Sequence, residues 1–478
     1  MIDYNSPAIV WFRNDLRISE NLALQAAVKH VAVIPVFIWA PDEEKPWAPG
    51  EASRWWLHRS LGELDKSLKA KESQLFIDTD NSLVALQKII EATGAKSVYW
   101  NRRYEPAIIE RDKKLEKCLI GAGLYIETFN SSLLNDPWEV LKKDGSPYRV
   151  YTAYWNVART KVDLSKKKVR FQIPIPPKGL RSYKSISDLN LCPKISWDQG
   201  FKDSWRPGEE QAKKNLAKFL RTRISSYDKD RDIPSLTGTS LLSPHLHFGE
   251  IGPKQIWAAI IKKTNKNLNS QQYLKELVWR DFAAQLLYHF PHTDKDPLRD
   301  AFKKFPWKRS KKNLKAWQTG MTGYPIVDAG MRQLWTIGWM HNRVRMIVAS
   351  FLIKDFQIRW QEGAEWFWDT LVDADLASNT MGWQWTAGCG ADAAPYFRVF
   401  NPMLQGTRFD PEGRYIRKWV PELKALPTKW IHSPWDAPQE ELKKAGVILG
   451  RTYPKPTVDH FEAKMEALFA YDAIKTKK

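Results

Sequence analysis

Short apolar runs alternate with amphipathic stretches over the first 135 residues of the chain. The runs have the length of buried strands, and they are AIVWF (8–12), VAVIPVFIW (31–39), QLFI (74–77), SVYW (97–100) and LYIET (124–128). Between them, NLALQAAVKH (21–30) and ASRWWLHRSLGELDKSLKA (52–70) have the apolar spacing of helices. Because strands and helices that alternate at this spacing build parallel sheets, the pattern predicts an α/β domain with a doubly wound sheet.

The pattern changes after residue 135. From 136 to 205 no clear period is present, and SKKKVRFQIPIPPKG (165–179) joins a basic run to three prolines, as connections across a surface do. Beyond that the apolar spacing is mostly helical, as in EQAKKNLAKFLRTRISSY (210–227), YLKELVWRDFAAQLLYHF (273–290) and VDAGMRQLWTIG (327–338). The sequence therefore predicts three parts: an α/β domain at 1–135, a connector at 136–205 and a larger all-helical domain at 206–478.

Composition narrows the function. The chain has a formal net charge of +20 and 24 tryptophans among 478 residues. Basic charge with many aromatic faces is typical of proteins that stack bases, and it also suits a protein that holds a flat aromatic cofactor. The three cysteines lack metal-ligand spacing, the apolar runs stop short of a membrane span, and MIDYNSPAIVWF lacks a secretory-signal layout. We expect a cytoplasmic protein without a metal site.

Four segments carry candidate chemistry. GTSLLSPHLHFGEIGP (238–253) offers hydroxyls and free N–H groups, either as a phosphate cradle or as an ordinary helix start. Glu276, Trp279 and Arg280 share one helical face, which is either a structural ion pair or the wall of a polar-aromatic pocket. FKKFPWKRSKKNLK (302–315) holds seven basic residues and no acid, so it is either a phosphate-binding patch or a solvated face. No GxGxxG fingerprint follows the first strand, which argues against a classical dinucleotide site there.

Two further segments combine polar and flat side chains. In IGWMHNRVRMIVASFL (337–352), Asn342, Arg345 and Met346 fall on one helical stripe. Asparagine can bind a base or flavin edge, and methionine packs softly against flat rings. DADLASNTMGWQW (373–385) places two carboxylates two residues apart, then short polar groups, then Trp383 and Trp385. Locally, a solvated turn before two core tryptophans explains this segment equally well.

Taken together, the motifs resemble the photolyase/cryptochrome family. The segments that carry the resemblance are VWFRNDLR (10–17), GTSLLSPHLHFGEI (238–251), ELVWRDF (276–282), TGYPIVDAGMRQL (322–334), WMHNRVRM (339–346) and GWQWTAGCGADAAPYFRVFNP (382–402). The chain looks most like the bacterial enzymes that repair cyclobutane pyrimidine dimers (CPDs). The resemblance implies a helical domain that holds FAD, and UV-damaged DNA as the partner of a monomeric, nucleoid-associated protein without an obligate protein partner.

The resemblance also implies roles for individual residues. It assigns the FAD contacts to Tyr227, Thr239, Ser240, Leu241, Leu242, Ser243, Arg280, Asn342, Arg345, Asp373, Ala374, Asp375 and Asn379. Arg345 with Asp373 matches the ion pair beside the isoalloxazine, and Asn379 matches the residue that faces the ring's reactive nitrogen. The family passes electrons to the flavin along a tryptophan chain, which here would be Trp383, Trp360 and Trp307.

The substrate pocket is assigned in the same way. A dimer flipped out of the duplex would pack between Trp279 and Trp385, with Glu276 bound to its carbonyl and imide edge. The remaining pocket and DNA contacts implied by the resemblance are Asn342, Arg343, Met346 and Gln405. The reduced flavin would donate one electron on absorbing blue light, the cyclobutane ring would split, and the electron would return.

Alternatives remain inside the family. A (6-4) photolyase would carry histidines where this chain has Asn342 and Met346. A cryptochrome photoreceptor is the runner-up, although plant and animal members tend to have Asp or Cys where this chain has Asn379, and many add a long C-terminal extension. For the antenna chromophore, Glu110 matches a folate contact, but Ile109 is apolar and HFPHTDKDP (289–297) lacks the family's Cys-Lys pair. Methenyltetrahydrofolate is favoured, with a deazaflavin or an empty site as the alternatives.

Overall fold

The N-terminal part of the computed structural model, which describes residues 2–165, 171–264, 268–393 and 397–475, is an α/β domain. Within the described residues its strands are β1 (Ala8–Phe12), β2 (Val33–Ile38), β3 (Phe76–Asp78), β4 (Ser97–Asn101) and β5 (Tyr125–Phe129). Its helices are α1 (Leu22–Ala27), α2 (Glu51–Lys69), α3 (Ser82–Thr93) and α4 (Pro106–Gly121). The predicted strands and helices are all present, with ends that differ by a few residues.

The sheet is parallel throughout, in the order β3-β2-β1-β4-β5. Strands β1, β2, β3 and β4 are buried along their whole length because apolar layers cover both faces. The strand order reverses between β1 and β4, so the predicted doubly wound α/β domain is confirmed. In such sheets ligands bind beyond the carboxyl ends of the strands, where the order reverses.

The connector is more regular than the sequence analysis predicts. It contains α5 (Tyr151–Lys161) and, before the helical domain, α6 (Gln199–Ser204). The prediction of an aperiodic segment is wrong for α5, whose buried residues Tyr151, Tyr154, Trp155 and Ala158 have helical spacing and pack against α11. The predicted surface run at 165–179 lies partly outside the described residues, at 166–170.

The C-terminal half is helical, as predicted. In the described residues its helices are α7 (Glu209–Thr222), α8 (Tyr227–Asp230), α9 (Ser243–His247), α10 (Pro253–Thr264), α11 (Leu268–His289), α12 (Lys311–Gln318), α13 (Pro325–Ile337), α14 (Asn342–Ser350), α15 (Trp360–Thr370), α16 (Leu376–Ala387), α17 (Pro402–Phe409), α18 (Arg414–Trp419), α19 (Gln439–Lys444) and α20 (His460–Ile474). A π-helical turn, Phe351–Asp355, continues α14. Short 3-10 turns lie at Pro41–Glu44, Ser187–Leu189, Pro291–Asp294, Asp300–Lys304, Pro421–Leu423, Thr428–Trp430 and Pro434–Asp436.

Helix ends follow local chemistry. The predicted helix at 210–227 is two helices: α7 ends at Thr222, the Ile224 amide donates to the Phe219 carbonyl at 3.1 Å, and α8 begins at Tyr227. Helix α13 ends where Gly338 adopts φ +64°, and a Cβ at that glycine would lie 2.4 Å from Phe201.

The two domains pack directly on each other. Gly50 lies against Trp368 and Asp369, and a Cβ there would lie 2.5 Å from the Trp368 carbonyl oxygen. The Trp368 indole donates to the Ala48 carbonyl at 2.7 Å. Beyond β1, the Leu16 amide donates to the Phe248 carbonyl at 3.0 Å, so the loop after the first strand is fixed to α9. No helix in the described residues is long and apolar enough to cross a membrane.

Candidate functional site

The helical domain contains an open cavity where α14 and α16 begin. Its lining includes Asn342, Arg345, Met346, Asp373, Ala374, Asp375, Asn379 and Trp383, of which the sequence analysis assigns six to FAD, Met346 to the substrate pocket and Trp383 to the electron chain. Helix α14 supplies the first three and the segment into α16 supplies the others. The N-termini of both helices meet the cavity, and helix dipoles favour negative charge there.

An ion pair spans one side of this flavin cavity. Arg345 Nη2 donates to both carboxylate oxygens of Asp373, at 3.0 and 2.8 Å, and Arg345 Nε donates to the Met340 carbonyl at 2.8 Å. The Asp373 side chain is 4% exposed and that of Arg345 is 24% exposed. The buried carboxylate therefore has its counter-charge, and one edge of the guanidinium stays open toward the cavity.

Asp375 and Asn379 are held by the start of α16. The Asp375 carboxylate caps the helix by accepting from the Ser378 amide at 2.8 Å. One turn later, Asn379 Nδ2 donates to the Ala364 carbonyl at 3.0 Å, which fixes the plane of the amide. A Cβ added at Gly382 would contact nothing within 4 Å, so this side of the cavity has room. Fixed polar groups around an open space fit a flat, hydrogen-bonding ring such as flavin.

Trp383 forms the deep wall of the flavin cavity. It packs edge-on against Phe367, with ring centroids 5.0 Å apart, and against Trp317 at 6.1 Å. It fits because position 363 is glycine: a Cβ there would lie 2.0 Å from the indole. Trp360 is buried at the start of α15, and Trp307 packs on Phe305 at 4.3 Å. The electron route through Trp360 and Trp307 stays a prediction, and Trp317 is a neighbour that the sequence analysis does not identify.

The predicted phosphate segment forms a tight turn before the short helix α9. Leu241 adopts φ +56°, and the Ser240 hydroxyl accepts from both the Leu242 amide at 3.3 Å and the Tyr273 hydroxyl at 2.8 Å. Tyr227 packs edge-on against Tyr273, with centroids 5.0 Å apart. The Trp339 indole, which lies 6.0 Å from the Arg345 guanidinium, donates to the Ser243 hydroxyl at 3.3 Å.

Two further residues assigned to FAD, Thr239 and Arg280, form hydrogen bonds with neighbouring segments. The Thr239 carbonyl accepts from Arg223 at 2.9 Å, and Arg280 donates to the Ser132 carbonyl at 3.3 Å. The structure thus connects the turn to the flavin cavity through Trp339 and to α11 through Tyr273. It places Arg280 against the loop after β5.

Glu276 lies on α11, one turn after Tyr273, and is already engaged. Its Oε1 accepts from Arg231 and, at 2.8 Å, from Gln272. Within the described residues, Oε2 accepts no hydrogen bond. Burial opposes the charge on Arg231, but the neighbouring Glu276 raises the Arg231 pKa above its ordinary value. The sequence analysis misses Arg231, which lies 45 residues away and has no local signal.

The two predicted pocket walls are oriented by their neighbours. The Trp279 ring stacks face to face on Tyr151, with centroids 3.5 Å apart and planes 6° apart. The Trp385 indole donates to the Asp392 carbonyl at 3.2 Å. Glu276, Trp279 and Trp385 are each partly exposed.

The remaining DNA-side residues lie around Met346. Its sulfur is 3.8 Å from Arg343 Nη1, so this thioether bridges the flavin cavity and the guanidinium. Arg343 also pairs with Asp232 at 2.8 Å and lies 4.5 Å from the Phe409 ring. Gln405 lies on α17, the helix that ends at Phe409, and it is partly exposed. The last family motif, at 382–402, lies partly outside the described residues, at 394–396.

A second open cavity lies between the domains. Glu110 lines it, as do Lys295 and Trp47. Arg103 binds Glu44 with two hydrogen bonds of 2.8 and 3.0 Å, and it also binds Glu105 at 2.8 Å. Burial raises the pKa of Glu105, but Arg103 lowers it by more, to about 2.

His247 lies between the two cavities and was not identified from the sequence. Burial lowers the pKa of His247. Asp375 on the flavin side raises it, and on the interdomain side Arg103 lowers it and Glu105 raises it. It also lines a smaller opening with Trp39 and Arg103 beyond β2. In the described residues no group of three or more histidine, cysteine or carboxylate side chains has the geometry of a metal site.

Comparison with known proteins agrees with this geometry. Residues 8–175 match the family model of DNA photolyase, and residues 273–473 match that of the FAD binding domain of DNA photolyase. The deoxyribodipyrimidine photo-lyase of Agrobacterium fabrum is 48% identical, with 98% of each chain covered. Cryptochrome-2 of Arabidopsis thaliana is 41% identical over 94% of this chain and 76% of its own length.

Solved structures show the same fold. A bacterial class III photolyase from Agrobacterium tumefaciens superposes with a TM-score of 0.95 at 46% identity, and the match covers 100% of this chain and 99% of that one. The match therefore covers both domains. The chain belongs to the photolyase/cryptochrome family, and its helical half contains the family's FAD-binding domain.

Proposed function

We propose that this protein repairs cyclobutane pyrimidine dimers in DNA, using light and a reduced FAD held in the flavin cavity. Reduced FAD, when bound, supplies one electron on absorbing blue light and takes it back after the ring has split. The observation that carries the proposal is that two helices, α11 and α16, each contribute residues both to the proposed FAD site and to the proposed dimer pocket. Helix α11 carries Tyr273 toward the phosphate turn and Glu276 toward the pocket, and α16 carries Trp383 and Trp385.

Glu276 is built to accept a hydrogen bond from the substrate. Arg231 and Gln272 hold Oε1, so Oε2 is the carboxylate oxygen left to accept the imide N–H of a thymine. Arg231 brings a positive charge to the same corner. Negative charge that develops on the dimer when it gains an electron would be stabilised there without rearrangement of the protein.

The two tryptophans provide apolar walls. Photolyases are a standard example of enzymes that flip the target base out of the duplex, because a stacked base hides the bond to be broken. Trp279 presents the face that Tyr151 does not cover, and Trp385 is held at the other end of the pocket by Asp392. Arg343 and Gln405 would contact the DNA around the opening, which agrees with the chain's charge of +20.

The interdomain cavity would hold the antenna chromophore. Glu110 and Lys295 line it together with Trp47, which supplies a flat face for a pterin ring. These groups favour methenyltetrahydrofolate over a deazaflavin, and an empty site is the remaining alternative. We further propose a monomer that works in the cytoplasm on chromosomal DNA.

The second candidate function is a cryptochrome-type photoreceptor, and the 41% identity to a plant cryptochrome favours keeping it. The discriminating experiment is a repair assay on an oligonucleotide with one thymine dimer, using reduced protein in blue light and in darkness. We expect light-dependent repair, and about 100-fold slower repair for Glu276→Ala with unchanged flavin content. Glu276→Gln keeps the shape of the side chain and removes its charge, so it separates the contribution of charge to repair from that of shape. Bound flavin without any repair in the wild type would favour the photoreceptor.

A further inference from the structure

Both walls of the proposed dimer pocket are attached to one point of the structure. Trp385 is tied to the main chain of Asp392 by its indole hydrogen bond of 3.2 Å. Trp279 is covered by the ring of Tyr151, and the Tyr151 amide donates to the Asp392 carboxylate at 3.3 Å. Asp392 is therefore hydrogen-bonded directly to Trp385 and is connected to Trp279 through Tyr151.

Tyr151 is held firmly behind Trp279. Its hydroxyl donates to the Lys275 carbonyl at 2.6 Å, its ring packs edge-on against Phe282 at 5.7 Å, and it is only 7% exposed. The tyrosine thus covers the core-facing side of the indole and leaves the opposite side for a ligand. Because α5 also packs on α11, the indole has little freedom to tilt.

Asp392 adopts a backbone conformation suited to joining the two walls. Its φ is +52°, in the left-handed region that Asp and Asn visit more readily than most residues. In this conformation its amide donates to the Arg149 carbonyl at 3.0 Å, while its own carbonyl accepts from Trp385. The residue is thereby fixed at both its amide and its carbonyl, and its carboxylate adds the third connection.

We propose that Asp392 and Tyr151 are positioning residues that fix the separation and tilt of Trp279 and Trp385, and so set the width of the pocket for a flipped pyrimidine dimer. The inference rests on the proposed function, since it concerns the same pocket. Stacking on two faces needs both rings at van der Waals distance, so a small displacement of one wall loses contact on both sides of the ligand.

The test compares variants that remove each connection with variants that keep it. Asp392→Gly removes the carboxylate but tolerates the positive φ, whereas Asp392→Asn keeps an acceptor oxygen and also tolerates it. Tyr151→Leu removes the stacked ring, whereas Tyr151→Phe keeps the ring and loses only the hydroxyl. Each is prepared as the full chain with bound FAD.

Three quantities are measured: the Kd for DNA with one thymine dimer, the Kd for the same undamaged DNA, and the repair rate at saturating substrate. We expect Asp392→Gly and Tyr151→Leu to weaken dimer binding by about tenfold, with undamaged-DNA binding, flavin content and Tm nearly unchanged. Asp392→Asn and Tyr151→Phe should stay within about twofold of the wild type. Unchanged dimer discrimination in both disruptive variants would overturn the proposal.

A second variant covers the case in which Tyr151→Leu lowers stability. Trp385→Phe keeps an aromatic wall but has no donor for the Asp392 carbonyl. Combined with Asp392→Gly it forms a double-mutant cycle. Asp392→Gly releases the Trp279 wall through Tyr151, and Trp385→Phe releases the opposite wall. Because displacement of either wall already loses contact on both faces of the ligand, the loss of dimer affinity in the double variant should be smaller than the sum of the two single losses. Full additivity would contradict the connection. A wild-type protein that repairs no dimer would refute the proposed function instead, which keeps the two failures distinguishable.

Discussion

The flavin cavity and the interdomain cavity lie on either side of His247 and are built in opposite ways. The flavin cavity is lined by two short segments, 342–349 and 367–386, and its main charges form one ion pair, Arg345 with Asp373. The interdomain cavity collects residues from four distant segments, and one guanidinium, Arg103, is shared by two carboxylates. The first is a site fixed by local helix geometry, and the second depends on how the domains meet.

The two cavities also differ in how deeply their charged side chains are buried. In the flavin cavity the Asp373 carboxylate is almost fully buried and, within the described residues, pairs with Arg345, so removal of either member leaves the other without its counter-charge. In the interdomain cavity Glu44 and Glu105 are 16% and 23% exposed, and each keeps contact with water. We therefore expect substitutions in the flavin cavity to have the larger effects.

The strongest test of the comparison is removal of the buried carboxylate. Asp373→Ala leaves Arg345 without its counter-charge, which typically costs about 3–5 kcal/mol at a buried pair. We expect the purified variant to retain less than about a tenth of the wild-type flavin, as measured by the ratio of absorbance at 450 nm to that at 280 nm. Glu110→Gln is the matched control, and it should keep its flavin. Equal flavin loss in both variants would show that the two cavities are not independent.

The next test concerns electron supply to the flavin cavity. Trp383→Phe removes the indole that forms the deep wall, and we expect flavin photoreduction to slow by at least about tenfold. Repair by chemically pre-reduced protein should be nearly unchanged. Trp360→Phe and Trp317→Phe then locate the following step, since Trp317 lies 6.1 Å from Trp383. A larger effect of Trp317→Phe would move the route away from Trp360. Fast photoreduction in Trp383→Phe would direct attention to the interdomain tryptophans, Trp47 and Trp368.

A smaller effect is expected for the antenna. Glu110→Gln keeps the size of the side chain and removes its charge, so a pterin bound in the interdomain cavity should be retained about tenfold less well. The measurement is mass spectrometry of the compound released from purified protein, with the flavin content as the internal standard. Ile108, whose buried side chain also lines this cavity, offers a control: Ile108→Val should retain as much chromophore as the wild type. Full retention in Glu110→Gln would place the antenna elsewhere or leave the cavity empty.

The two cavities also differ in how far the sequence predicts them. Asn342, Arg345 and Met346 fall within five residues of one helix, and Asp373 to Asn379 within seven, so helical spacing alone places each set together. Arg231, Tyr151 and Asp392 cannot be found this way. Arg231 lies 45 residues from Glu276, and Tyr151 lies 128 residues from Trp279, so both contacts depend on tertiary packing. Asp392 lies 7 residues from Trp385, beyond the end of the helix that carries the tryptophan.

The elements of the fold likewise divide into those that the sequence predicts and those that it misses. The parallel sheet follows from short apolar runs that alternate with helices, and its bounds were predicted to within a few residues. Helix α5 was missed because its buried face is aromatic and sits in an otherwise irregular segment. Local periodicity reveals elements and short sites, whereas the wall positions in the pocket and the charges of the interdomain cavity arise only from tertiary contacts.

The smallest expected effect is a pH dependence from the interdomain ion pairs. Arg103 lowers the pKa of Glu105 from 4.5 to about 2, so the stabilisation is fully present above pH 4.5 and is lost as the pH falls toward 2. Glu105→Gln should therefore lower the free energy of unfolding by about 1–3 kcal/mol at pH 7, and by progressively less below pH 4.5. Urea unfolding at pH 7, 5 and 3.5 measures the difference. Because Gln cannot ionise, a constant difference across this range would mean that shape, and not charge, holds this side of the interdomain cavity together.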